Sequence, residues 1–237
     1  MLAVVRRAKG RLPARETNTL DRGRIRFMRS TSRILVTLAL ACLLFGCAST
    51  PPKRQDNLCE IFEQEPGWYD HAYTSERRWG IPISVQMAIV QRESSFRARV
   101  RPERTKLLGF IPWRRPSSAH GYAQAQDPAW QEYLEMTGRS GWLTSRADMA
   151  DALDFIGWYN YTSHRRLGIA RNDAYELYLA YHEGRTGYER GSWRGKPKVR
   201  QTARQVAERA DRYARQLPAC EEEFRCAAWW KVWPFCR

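Results

Sequence analysis

The chain reads as a mostly α protein. Three observations predict this. Apolar residues recur at helical spacing in several separate stretches, and no alternating strand run of any length interrupts them. One stretch, Trp79 to Phe96 (WGIPISVQMAIVQRESSF), is apolar around most of a helical wheel, the mark of a buried helix rather than a surface one.

That stretch organises the rest. Pro82 suits a first helical turn, where its missing N–H has no partner to lose. Ile83, Val85, Met87, Ala88, Ile89 and Val90 follow, and Glu93 falls at an angular position between Ile89 and Val90. A carboxylate there is costly unless it is paired or keeps its proton. Desolvation raises a carboxyl pKa, and a carboxyl protonated near neutral pH can act as a general acid. The structural alternative is a helix-end glutamate that reaches solvent or pairs with Arg92 or Arg97.

Residues 1–27 are basic, without apolar periodicity, and read as an upstream extension or a misassigned start. Met28 opens a better-formed leader over 28–46. Arg29 and Arg33 precede an apolar run from Ile34 to Phe45, which is too short to span a bilayer comfortably. Its end, Leu44-Phe45-Gly46-Cys47, resembles a bacterial lipobox, which implies cleavage before Cys47 and acylation of its thiol. Ala48 after an acylated cysteine implies sorting to the outer membrane, so the expected location is its periplasmic face. The net charge of +15 is then partly the leader's: the chain from Cys47 keeps 30 basic and 23 acidic residues, a net of +7. That excess does not by itself signal nucleic acid, and anionic envelope polymers and lipid head groups are the expected surroundings.

Residues 47–58 form a polar, proline-containing tether, and 59–217 one domain with room for a sizeable core. Helical pieces are expected between Cys59 and Gly80. Further helices are expected around Trp130 to Met136, Arg146 to Ser163, Asp173 to Glu183 and, strongly amphipathic, Val199 to Leu217. Residues 184–196 read as glycine-rich turns. From Arg97 to Ser118 the periodicity breaks into a loop or hairpin with an apolar tip, Leu107, Leu108, Phe110, Ile111 and Trp113. Its length favours function. It reads as a lid or substrate wall, or as a plug folded onto the core, and less directly as a membrane-inserting tip.

The tail, 218–237, is rich in cysteine and tryptophan. With Cys42 in the leader and Cys47 acylated, Cys59, Cys220, Cys226 and Cys236 remain. In an oxidising compartment these suggest two disulfides with three possible pairings, one of which ties the start of the domain to its tail through Cys59. No CxxC spacing or neighbouring histidine suggests a metal.

Three separated pieces, in order, resemble the soluble lytic transglycosylase domain, a family similar in fold to goose-type lysozyme. They are IPISVQMAIVQRESSF, Gly121-Tyr122-Ala123-Gln124, and Tyr178-Leu179-Ala180-Tyr181-His182-Glu183-Gly184. The family pattern is E-S-x-F, G-L-M-Q and A-Y-N-A-G. The second piece keeps the Gly and Gln, and the third has His182 for Asn and Glu183 for Ala. The resemblance covers about Trp68 to Trp193. It implies a lysozyme-like helical domain that cleaves the bond between N-acetylmuramic acid and N-acetylglucosamine in peptidoglycan strands, leaving a 1,6-anhydro end, with no metal or cofactor.

It further implies Glu93 as the single acid/base and Gln124 as a substrate contact. It places the Tyr181 hydroxyl near the Glu93 carboxyl. Tyr122 and His182 would line the sugar cleft, and Ser118 (or Ser117) would match the family serine before the second piece. Two other readings compete. A lysozyme using water would need a second carboxylate, with Glu183 or Asp127 as candidates. A non-catalytic peptidoglycan-binding lipoprotein would keep the cleft alone.

Overall fold

The computed structural model describes residues 50–108 and 111–226, and of Lys106, Leu107, Ile111, Pro112 and Cys226 only the backbone. The expectations for the extension, the leader, Cys47 and Cys236 therefore lie outside the described residues. Residues from Ser49 onward form one compact unit, whose described buried core runs from Leu58 to Phe224.

Helix α1 (Leu58–Gln64) starts at Asn57, whose side chain accepts from the N–H groups of Cys59 and Glu60, two of the donors a helix start leaves open. Helix α2 (Pro66–Trp79) has proline in its first turn and ends at left-handed Gly80. Helix α3 (Ile83–Ser94) is the stretch built around Glu93. It starts one residue later than the proline suggests, because Pro82 sits extended as its cap. Helix α4 (Asp127–Thr137), α5 (Met149–Leu167) and α6 (Ala174–Glu183) follow, the last two capped by Asp148 and Asp173. Helix α7 (Arg185–Glu189) lies within the segment read as turns. It is five residues long, too short to leave a periodic signal. Helix α8 (Pro197–Gln216) leads through a 3₁₀ turn, Leu217–Ala219, to α9 (Glu221–Cys226).

Helix α3 is central. Ile83 to Val90 are all buried, and α2, α5 and α8 pack around it. The sequence periodicity of α8 is met by its buried face of Ala203, Val206, Ala210 and Tyr213. Helices α2 and α5 approach closely at Gly157. A Cβ there would stand 2.4 Å from Ser75 Oγ and 2.6 Å from Trp79 Cδ1, so only glycine fits. Asp154, on the same α5, ties three segments together. It accepts from Trp79 Nε1 at 2.8 Å and from the Tyr133 hydroxyl at 2.7 Å, and it pairs with Arg78 at 3.1 Å. A buried carboxylate requires this degree of pairing.

Residues 97–118 contain a short antiparallel hairpin, β1 (Lys106–Leu107) with β2 (Ile111–Pro112). The plug reading is corrected. Leu108 is 77% and Trp113 51% exposed, and the two strands find their main contacts in each other.

Cys59 and Cys220 form a disulfide, so the tail is tied to the start of the domain as the sequence suggested. The tail also packs: Phe224 meets Phe62 and Tyr69 edge-on or tilted, with ring centres 5.6 and 5.8 Å apart. The disulfide spans 161 positions. Closing so long a loop constrains the unfolded chain, and the expected stabilisation is about 2–4 kcal/mol. Urea unfolding of a Cys59→Ser/Cys220→Ser variant against the oxidised protein should show a loss of that order, whereas equal midpoints would mean that the tail packing alone holds the end.

Candidate active site

Glu93 sits in the last turn of α3, just past the buried run Ile83 to Val90. Two residues on, Ser95 and Phe96 have φ of 50° and 58°, a left-handed conformation that non-glycine residues rarely adopt. Phe96 is wholly buried and stacks at a tilt on Trp68, 5.5 Å between ring centres, which fixes this turn despite its strain. The serines and phenylalanine of the first motif thus shape the exit of the helix that carries the glutamate.

Burial pushes the Glu93 carboxyl up to about 7. The Tyr178 hydroxyl, its hydrogen-bonding neighbour, and the Arg92 guanidinium offset part of that rise. No carboxylate is among the groups that act on it within the described residues. At neutral pH such a group is divided between acid and base, as a single residue serving both roles requires.

The tyrosine expectation is met in part. Tyr181 stands near Glu93, whose charge helps to raise its pKa, after burial, well above the usual value. Its hydroxyl, however, donates to the Ala123 carbonyl at 2.6 Å. The residue that sequence reasoning missed is Tyr178, one turn earlier on α6, whose hydroxyl addresses Glu93. Positions three apart share a helix face, so the spacing Tyr178/Tyr181 was the available signal, and it could not say which ring reaches further.

The second motif forms a tight turn. Gly121 has φ of 80°, and a Cβ there would lie 1.9 Å from the Arg146 carbonyl oxygen. Gln124, itself at φ 46°, uses its Nε2 to donate to the carbonyls of Val100 (3.0 Å) and Gly121 (2.8 Å). Both partners are acceptors, which sets the amide orientation and leaves Oε1 as an acceptor on the groove side. The side chain is therefore both a brace for the turn and a lining residue.

Tyr122 is corrected from cleft to core. It is 4% exposed and meets Trp68 edge-on at 5.7 Å. Ser118 serves a helix end instead of a cleft: its Oγ accepts from the Asp127 N–H at 2.9 Å, at the start of α4.

A groove enclosing about 690 Å³ is lined by Gln124, Gln126, Phe155, Tyr159, Tyr181, His182 and Glu183. It continues into a second of about 680 Å³, which shares Tyr159 and Glu183 and adds Glu132, Arg166 and Arg185. His182 is largely exposed at its side, and its Nδ1 lies 3.2 Å from Glu183. Burial raises the Glu183 carboxyl, but Lys196 at 2.7 Å, Ser192 and His182 together outweigh it and hold the pKa below the ordinary value. Asp127 is exposed and paired with Arg146 at 2.7 Å. Arg185, buried, binds Glu132 through both oxygens at 2.6 and 2.7 Å and lies 4.5 Å from the centre of the Tyr159 ring. Among the described residues no three His, Cys, Asp or Glu side chains converge as a metal site.

The Tyr178 contact has a consequence for pH. It favours the ionised carboxylate, so Tyr178→Phe should raise the Glu93 pKa further. The alkaline limb of kcat/KM for a reaction that uses the protonated carboxyl, expected near 7 in the wild type, should then move up, and a shift downward would contradict the contact. Stability gives an independent check. A carboxyl raised from 4.5 to about 7 binds its proton in the folded state first, so stability falls as pH rises across that window. Glu93→Gln removes this loss and should be the more stable protein above pH 7, by on the order of 3 kcal/mol at most, yet equal to wild type near pH 4.

A profile of the transglycosylase SLT domain matches residues 35–220. No curated protein matches the chain. The matched span contains the Glu93 helix, the Gly121–Gln124 turn, the tyrosine helix and both cysteines of the disulfide. The chain belongs to the transglycosylase SLT domain family, which implies peptidoglycan lytic transglycosylase activity.

Proposed function

We propose that the protein cleaves the β-1,4 bond between N-acetylmuramic acid and N-acetylglucosamine, with Glu93 as the only acid/base. The observation that carries this reading is a solitary carboxyl raised to about 7 by burial at the end of a buried helix. As acid, Glu93 gives its proton to the glycosidic oxygen while the bond from that oxygen to the muramic C1 breaks. As carboxylate, it then takes the proton of the muramic C6 hydroxyl, whose oxygen closes on C1. The product is a 1,6-anhydro ring, and no water is consumed. Tyr178 and Arg92 help to carry the ionised form between the two steps. The two joined grooves give an elongated channel suited to a linear glycan, with Gln124, Tyr181 and His182 on its wall.

A two-carboxylate hydrolysis is less well supported. Glu183 is committed to Lys196, Ser192 and His182 and held below the usual carboxylate range, which weakens it as a base. A binding lipoprotein without activity would have no use for a carboxyl kept protonated at such a cost in stability. We place the protein in the cell envelope, anchored through an acylated Cys47 on the periplasmic face of the outer membrane. Among the described residues no helix is long and apolar enough to cross a membrane. The lipobox and the following Ala48 support the anchor and its location.

Digestion of purified peptidoglycan with mass analysis tests the chemistry. The products should be 1,6-anhydro-muropeptides, each lighter by one water than the reducing sugars of a lysozyme. Glu93→Gln should lower the rate by at least ~10²–10⁴-fold, and Glu183→Gln by much less. Reducing-end products that vanish with Glu183→Gln would instead establish a hydrolase.

A further inference from the structure

The hairpin takes no part in the chemistry above, and its composition is unlike that of the groove. Residues 97–115 hold seven basic side chains and one acid, Glu103, around the apolar run Leu107-Leu108-Gly109-Phe110-Ile111-Pro112-Trp113. Gly109 and Phe110 lie outside the described residues. Leu108 and Trp113 are exposed, and so are Arg97, Arg99, Arg101, Arg104, Arg114 and Arg115. Among the described residues none of these six arginines has an ion-pair partner, whereas the groove cations Arg166 and Arg185 each have one. The positive field is felt locally: after burial, Arg101, Arg146 and Arg115 lower the pKa of His120 at the hairpin base. The stem is tied by the Thr105 N–H to the Arg114 carbonyl (2.9 Å), the Trp113 N–H to the Thr105 carbonyl (2.6 Å) and Arg115 to the Pro102 carbonyl.

An apolar tip ringed by unpaired arginines on a hydrogen-bonded stem has the complementarity of an interfacial anchor. Exposed leucine and tryptophan gain by entering the head-group region, and arginines gain beside anionic lipid. We propose that this hairpin docks on the surface of an anionic phospholipid bilayer, with Leu108 and Trp113 entering and the arginines meeting the head groups. Peptidoglycan is also anionic, so the arginines alone would suit it. The exposed Leu108 decides for lipid, because it offers a sugar polymer neither donor nor acceptor, and the Trp113 indole, apolar with one N–H, suits the head-group interface. The inference does not depend on Glu93 or on the reaction assigned to it.

The test uses the compact unit from Ser49 onward, which carries the described core but no leader and no Cys47, so no acyl chain contributes. It should co-sediment with vesicles of equal parts phosphatidylglycerol and phosphatidylcholine at least ~10-fold better than with phosphatidylcholine alone. Rising salt should weaken the binding. Leu108→Asn/Trp113→Ser should lose most of the binding, and Arg104→Gln/Arg114→Gln/Arg115→Gln should lose the preference for anionic lipid and the salt dependence. Both variants alter exposed side chains and should keep the wild-type melting temperature. If one does not fold, the other still reads the same surface. No sedimentation with anionic vesicles, equal sedimentation with both lipids, or binding unchanged in the variants would overturn the proposal. Binding to purified sacculi that fails in the variants, without vesicle binding, would overturn it in favour of peptidoglycan as occupant.

Discussion

A helix buried on every side is the constraint from which the rest follows. Eight consecutive residues of α3, Ile83 to Val90, have no free face, so the chain must supply a shell around them, and α2, α5 and α8 are that shell. Of the shell helices, α2 and α8 bury one stripe each, whereas α5 is itself buried all round from Ala152 to Asn160. Past Val90 the burial becomes one-sided: Ser94 is buried, Arg92 is exposed and Glu93 lies between them. Glu93 is therefore placed at the rim, desolvated by the same packing that stabilises the helix, yet still near open space. Its raised pKa is not an ornament added to a scaffold. It is a consequence of putting a carboxyl on the last turn of a helix whose neighbours were chosen for apolar burial.

Helix α6 then divides two tasks between two tyrosines. Tyr178 addresses the acid, while Tyr181 fixes the Ala123 carbonyl and so holds the turn that presents Gln124. One helix face thus sets the distance between the acid and the groove wall. The strained residues agree with this picture. Of the four non-glycine residues with positive φ among those described, Ser95, Phe96 and Gln124 lie in the two motif segments that α6 braces. Strain persists where surrounding contacts over-determine it, and the buried Phe96 and the doubly bonded Gln124 supply those contacts.

Much of this was legible because periodicity reports burial. The all-round pattern of α3, the one-sided pattern of α8 and the position of Glu93 are properties of spacing, and they came through with boundaries only a few residues apart. What was hidden depends on side-chain reach and on packing between distant segments. Tyr122 reads like a cleft residue because it shares a short motif with Gln124, but within that tight turn Gln124 lines the groove while Tyr122 packs on Trp68. Tyr178 and Tyr181 share a face, and spacing cannot rank their hydroxyls. Ser118 shows a hydroxyl near a motif taken up by an ordinary helix start. The apolar tip of the hairpin reads equally as core or surface, because composition alone does not say whether a strand pair packs on anything besides itself.

The charge of the chain follows the same division. The cations that line the groove have their acids, Arg185 with Glu132 and Arg166 with Glu189, and Lys196 pairs with the groove residue Glu183. Paired this way, they orient side chains and leave little net field. On the hairpin the arginines are unpaired and exposed, and their fields add. A net charge read from composition cannot separate these two populations, although they do opposite things. The paired ones rigidify a site, and the unpaired ones project a field outward from it. Exposed arginines without an ion-pair partner among the described residues also line α8 (Arg204, Arg212, Arg215), so what sets the hairpin apart is that its arginines stand beside exposed Leu108 and Trp113.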